Sequence, residues 1–133
     1  MQPLRKILLV EDEPATRSVT AMALGKLGGF TLDVCASGEE AIERCAAFAP
    51  DLLLLDVIMP ELNGVETLER LRSSGLKAPV VFFTRRVAAA DIERFNGLGA
   101  LGVIAKPFDP LKLPAMLEEL WKKHHRGGAS STD

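Results

Sequence analysis

The chain has 133 residues, 47% of them hydrophobic and 26% charged, and a net charge of −2. That length suits one domain with one buried core, and the near-neutral balance excludes a global basic field for nucleic acid. The two cysteines, Cys35 and Cys45, form neither a CxxC nor a zinc pattern and read as buried free thiols.

RKILLV (5–10) is a short apolar run with β-branched content, which predicts a first strand. It is far too short for a signal peptide or a membrane span, so a cytoplasmic protein without membrane contact is expected. A helix is predicted over 15–27. It opens at Pro14, a favoured first-turn residue, stops at Gly28-Gly29, and turns Val19, Met22, Ala23 and Leu27 toward one face. TLDVC (31–35) alternates as a second strand. Ser37 is then the N-cap of a second helix, Glu40 its capping-box partner, and Ala41, Ile42, Cys45 and Phe48 its inward face. DLLLL (51–55) is continuously apolar after its aspartate, and a helix over 65–72 follows with Val65, Leu68 and Leu71 inward. VVFF (80–83) is a fourth strand, followed by a weaker helix over 88–96. ALGVIA (100–105) is a fifth, followed by a helix over 111–123 carrying Leu113, Leu117, Leu120 and Trp121. Lys122, Lys123, His124 and His125 suit a helix C-terminus, and the two histidines read as solvated.

Continuous apolarity suits strands covered on both faces. Five βα units with right-handed crossovers predict an α/β fold, a doubly wound five-stranded parallel sheet. Residues 1–124 are the expected domain and 125–133 an expected disordered tail. No second domain is read from the sequence and Met1 suggests a natural start, so a single-domain protein is the expectation, with a piece cut from a longer protein as the alternative.

Ligands of an open α/β sheet bind beyond the carboxyl ends of the strands, where strand order reverses. Strand 1 ends in Glu11-Asp12-Glu13, strand 3 in Asp56, strand 4 in Thr84-Arg85-Arg86 and strand 5 in Lys106-Pro107. Strand 2 ends in Ala36-Ser37-Gly38, without an ionised side chain. The order 2-1-3-4-5, flavodoxin-like, explains that silence, because it puts strand 2 at an edge. Two or three carboxylates then converge. At about 5 Å and an effective dielectric near 20, each ionised pair repels by roughly 3 kcal/mol. A divalent cation removes that cost, and all-oxygen ligands suit Mg²⁺. A carboxylate nucleophile, a hard metal, the ammonium of Lys106 and the hydroxyl of Thr84 together suit a transferring phosphoryl group.

DVIMPELNG at 56–64, ED at 11–12, Thr84 ending an apolar strand and KPF at 106–108 resemble the receiver domain of two-component response regulators, over roughly residues 5–124. The resemblance implies that Asp56 accepts a phosphoryl group from a phosphohistidine on a sensor histidine kinase or a histidine phosphotransfer protein. It implies that Asp12 binds Mg²⁺ directly, Glu11 mainly through water, and that Asp56 and the carbonyl of Ile58 complete the protein ligands. Thr84 would hydrogen-bond the phosphoryl oxygens and Lys106 would pair with them. The Lys106–Pro107 bond would be cis, and Gly64 would tolerate a backbone angle other residues resist. Such a protein is no enzyme beyond its own phosphorylation and dephosphorylation. It signals by docking as a monomer or weak dimer, through a face including Phe95, Leu98, Leu101, Val103 and Lys112.

Three positions depart from the family pattern. Val103 stands where an aromatic residue is usual, which puts the route from Asp56 to the output face in question. Arg85 replaces a small residue and could overhang the pocket, touching the acidic cluster or the phosphoryl oxygens. Ile58 cannot orient an attacking water, which predicts a long phosphoryl lifetime. The alternative is a pseudo-receiver acting as a phosphorylation-independent interaction module. Haloacid-dehalogenase-like phosphatases need a second Asp where Ile58 stands. A flavodoxin needs a hydroxyl- and glycine-rich loop where EDEPAT stands.

Overall fold

In a computed structural model describing residues 2–85 and 88–131, with side chains described through residue 125, five strands alternate with five helices. The strands are β1 (Lys6–Val10), β2 (Thr31–Cys35), β3 (Leu52–Asp56), β4 (Val80–Thr84) and β5 (Ala100–Ala105). They pair in parallel in the order β2-β1-β3-β4-β5. Ile7 to Val10, Leu52 to Leu55 and Val80 to Phe82 are fully buried, as strands covered on both faces must be. Each such leucine contributes roughly 2 kcal/mol of burial.

The helices are α1 (Pro14–Met22), α2 (Gly38–Phe48), α3 (Gly64–Ser73), α4 (Ala89–Gly97) and α5 (Leu113–Ser131). Alternation along the strands sends side chains to two separate cores. Leu8, Val10, Leu53, Leu55 and Phe82 meet Ala41 and Cys45 of α2, Leu68 and Leu71 of α3 and Phe95 of α4. Ile7, Leu9, Leu54, Val81 and Phe83 meet Leu24 after α1 and Leu113, Leu117 and Trp121 of α5. Both cysteines are free and buried, as expected.

Local chemistry sets the helix starts. Glu13 caps α1, its carboxylate accepting the N–H groups of Ala15 at 2.9 Å and Thr16 at 3.0 Å, with Pro14 first in the helix. Ser37 caps α2 by accepting from Glu40 N at 3.2 Å, but Glu40 takes the N–H of Ala36 rather than that of Ser37. The reciprocal capping box belongs instead to α3, where Asn63 and Glu66 exchange bonds of 2.8 and 3.1 Å. The weak fourth helix has no side-chain cap at Ala88, and Phe95 is its one buried residue.

Two expectations about helices change. After Met22 the first helix widens into a π-helical segment, Ala23–Leu27, which rotates the chain relative to an α-helical projection. The buried face is Thr20, Ala23 and Leu24, an i, i+3, i+4 set beside the expected one, while Val19 and Met22, both before the π-helical segment, and Leu27 are exposed at 43%, 56% and 56%. The fifth helix runs on to Ser131, past Lys123, through most of the segment expected as a tail. Gly127-Gly128 lowers helix propensity there without interrupting the helix. Thr132 and Asp133 lie outside the described residues. Among the described residues no helix is long and apolar enough to cross a membrane.

Candidate functional site

The strand order brings the carboxyl ends of β1, β3, β4 and β5 side by side, and β2 stands at the edge. Glu11 is fully buried, and Asp56 and Thr84 are nearly so. One carboxylate oxygen from each of Glu11, Asp12 and Asp56 lies within 4.8 Å of the others. Lys106 enters from the end of β5, its Nζ 2.5 Å from Glu11 Oε1 and 3.2 Å from Asp56 Oδ1. These residues, with Glu13, Ile58, Thr84 and Arg85, line a cavity of about 310 Å³. Every candidate named from the sequence thus reaches one cavity.

Backbone geometry holds the acidic groups in place. Asp56 ends β3, and Ile58 N donates back to its Oδ1 at 3.3 Å. Glu13 N donates to Glu11 Oε2 at 3.1 Å. Arg17, from α1, donates to the carbonyls of Glu11 and Asp12 at 3.1 and 3.2 Å, pinning the turn that carries them. The Lys106–Pro107 peptide is cis, as the resemblance implied. Gly64 differs from expectation. Its φ is not positive, unlike that of Gly29, Gly75 and Gly99. Its role is close approach: a Cβ there would stand 2.3 Å from the Asp56 carbonyl oxygen.

The electrostatics are those of a crowded rim. Burial, together with the neighbouring Glu11, pushes Asp56 up to about 8, against the pull of Lys106. Burial also raises Glu11, but hydrogen bonds with Asp56, Lys106 and the Glu13 N–H outweigh it and hold Glu11 below its usual range. The two carboxyls are thus pushed apart around the shared Lys106, Asp56 upward and Glu11 downward. Three oxygen-only carboxylates fit a hard divalent cation such as Mg²⁺, which would offset their mutual repulsion.

Three side chains at the rim behave differently from the acidic cluster. Ile58 is 63% exposed, an apolar lip over the cavity. Arg85 is also exposed, and none of the described ion pairs includes it, so the anticipated contact with the acidic cluster is not made. Glu13 is held below its usual range by the Thr16 hydroxyl and the Ala15 and Thr16 N–H groups, with a smaller contribution from Arg85. The anticipated output face also needs one correction. Phe95 is buried, stacking on Phe82 with ring centroids 4.8 Å apart, whereas Ile92, Lys112 and Met116 are exposed. Leu98, Leu101 and Val103 are half-buried.

Sequence reasoning missed two neighbours of the site, Phe83 and Arg17. The Lys106 ammonium lies 4.4 Å from the centroid of the Phe83 ring. An apolar strand residue gives no signal of that contact, because it reads as core. Arg17 was equally silent, since a helical arginine reads as solvated.

Residues 7–118 match the family model described as the response regulator receiver domain. The chain is 38% identical to the transcriptional regulatory protein TrcR of Mycobacterium tuberculosis over 123 residues, 91% of this chain and 46% of TrcR. It is 38% identical to the regulator of RpoS of Escherichia coli over 112 residues, 83% of this chain and 33% of that protein. The chain thus spans half or less of the length of these two relatives. Among solved structures it is similar to chemotaxis protein CheY4 of Vibrio cholerae, with TM-score 0.79, 26% identity and coverage of 88% of this chain and 98% of that one.

Proposed function

Because the chain belongs to the response regulator receiver domain family, we propose that it accepts a phosphoryl group on Asp56 from a phosphohistidine, in a reaction that needs Mg²⁺. The observation that carries this reading is Asp56 itself. It is 4% exposed, with carboxylate oxygens of Glu11 and Asp12 within 4.8 Å and Lys106 at 3.2 Å. Packing alone gives no reason to bury such a group.

Glu11, Asp12, Asp56 and the Ile58 carbonyl would hold the cation, which when bound offsets negative charge on the carboxylates and the phosphoryl oxygens. The remaining chemistry falls to the chain. Asp56 loses its proton and its carboxylate oxygen forms the P–O bond as the donor P–N bond breaks. The imidazole leaves with the electron pair and takes a proton from solvent. Lys106, already between Glu11 and Asp56, balances the charge of the arriving phosphoryl oxygens, and Thr84 hydrogen-bonds them. Dephosphorylation is a separate displacement at the same residues: water attacks phosphorus, the P–O bond to Asp56 breaks with the electron pair returning to the carboxylate, and inorganic phosphate leaves. On this reading the chain catalyses only its own phosphorylation and dephosphorylation.

A groove of about 510 Å³ adjoins the cavity, with Ala15, Val19 and Phe108 among its walls, and shares Arg85 and Lys106 with it. It offers an apolar ledge for the phosphohistidine-bearing kinase or phosphotransfer protein. Output by docking falls to the α4–β5–α5 face, with Ile92, Lys112 and Met116 exposed.

Incubation with phosphoramidate and Mg²⁺, followed by intact-mass measurement, tests the reading. One added phosphoryl group is expected, and none without Mg²⁺ or in Asp56→Asn. An unmodified wild-type protein under these conditions would leave only the interaction-module alternative.

A further inference from the structure

We infer that Phe83 is a positioning residue for Lys106, a non-ionic seat that keeps the ammonium in the site when the carboxylates are drawn to a cation. The inference rests on the phosphoacceptor reading above and adds to it a residue that reading does not use. Phe83 is the register partner of Asp56 across the β3–β4 ladder, so the two side chains leave the same face of the sheet. Its ring is 1% exposed, and the Lys106 Nζ lies 4.4 Å from its centroid. That distance is within the reach of a cation–π contact, and burial strengthens such a contact. Phe108, two residues after Lys106, packs on the same ring with centroids 6.3 Å apart. Both ends of the Lys106-Pro107-Phe108 segment are therefore gathered on Phe83.

The need for such a seat follows from charge. Among the described ion pairs, those of Lys106 are with Glu11 and Asp56. Both belong to the acidic cluster that fits a divalent cation. A dication among those oxygens weakens their hold on the ammonium and repels it directly. Lys106 would then swing to solvent along its flexible stem, unless something uncharged and buried retained it. A π face does this, because it attracts the ammonium and has no appetite for displacing water from the metal. An aliphatic side chain of similar size fills the same volume without that attraction.

The test uses Phe83→Leu, Phe83→Tyr and Lys106→Met in the full chain. In wild type, the Lys106 ε-methylene protons should show an upfield ring-current shift by NMR that persists when Mg²⁺ alone is added. Phe83→Leu should lose that shift and be phosphorylated by phosphoramidate about five- to tenfold more slowly. It should bind Mg²⁺ as tightly as wild type or more so, since the ammonium is free to withdraw. Simple structural damage would weaken both. Phe83→Tyr should restore the rate, and in a Lys106→Met background Phe83→Leu should cost nothing further. Departure of Lys106 from the ring on Mg²⁺ addition, or a wild-type rate in Phe83→Leu, overturns the inference. If wild type takes no phosphoryl group at all, the phosphoacceptor reading fails, while the ring-current arm still decides whether the seat exists.

Discussion

Strand β3 has an aspartate at each end, and the two do opposite things. Asp51, just before the strand, accepts the backbone N–H groups of Arg5 and Lys6 at 3.0 and 2.9 Å, tying the entrance of β1 to β3. Asp56, at the far end, faces Glu11 and Asp12 within 4.8 Å and shares a single lysine with Glu11. One carboxylate meets donors that its own fold needs satisfied; the other meets its own kind. The first is structural because the fold is better with it than without. The second is worse placed than it would be in water, and only a cation or a reaction partner makes sense of it.

Substitution at the two ends should separate these roles most sharply. Asp56→Asn should abolish phosphoryl incorporation by intact mass, yet raise the melting temperature of the metal-free protein. Lys106→Met removes the one cation between Glu11 and Asp56. In urea titrations without metal it should lower stability by about 3 kcal/mol, the usual cost of leaving one half of a buried pair. Mg²⁺ should restore part of that loss. Asp51→Ala should lower stability by about 1–2 kcal/mol, for two lost charge-assisted bonds, and leave phosphorylation intact.

A pH series refines the contrast. Asp56 goes from its ordinary 3.8 up to about 8 in the folded, metal-free protein. Between those values the folded form binds the extra proton, so this group makes stability fall as pH rises through the window. Glu11, held below 4.5, acts in the opposite sense, its contribution being lost as pH falls through and below that value. The melting advantage of Asp56→Asn over wild type should therefore grow from about pH 4 to about pH 8, and saturating Mg²⁺ should abolish it. A pH-independent difference would mean that Asp56 is no more burdened than Asp51. The smallest effect concerns the rim. Because Arg85 is exposed and makes no described ion pair, Arg85→Ala should change the acyl-phosphate lifetime by at most about threefold, or roughly 0.7 kcal/mol.

The sheet was legible because both of its faces are covered. LLLL at 52–55 and VVFF at 80–83 leave little choice but buried parallel strands, and the polar residue closing each run marks the site rim. The strand order followed from one negative observation, the uncharged end of β2. The first helix was harder to read. Its buried face, Thr20, Ala23 and Leu24, is helically spaced but includes a threonine, whereas the exposed Val19 and Met22 are apolar, so hydrophobic periodicity pointed to the neighbouring face. The caps were only partly legible, because the spacing that brings Glu40 back to the helix start does not say which of two adjacent N–H groups, Ala36 or Ser37, its carboxylate takes. Gly64 was recognised as special for the wrong reason: the constraint is a neighbouring carbonyl, which belongs to tertiary structure and not to local sequence. Phe83 was invisible as a site neighbour, since the same ring serves the core and the ammonium.

The thin anchorage of α4 has its own consequence. One stacked ring and an uncapped start leave little to resist opening, so backbone amides of this segment should exchange with deuterium well before those of α2, α3 or the central strands. A surface that already loosens on its own can be remodelled by a modest push from the neighbouring strand end, without the global fold having to yield.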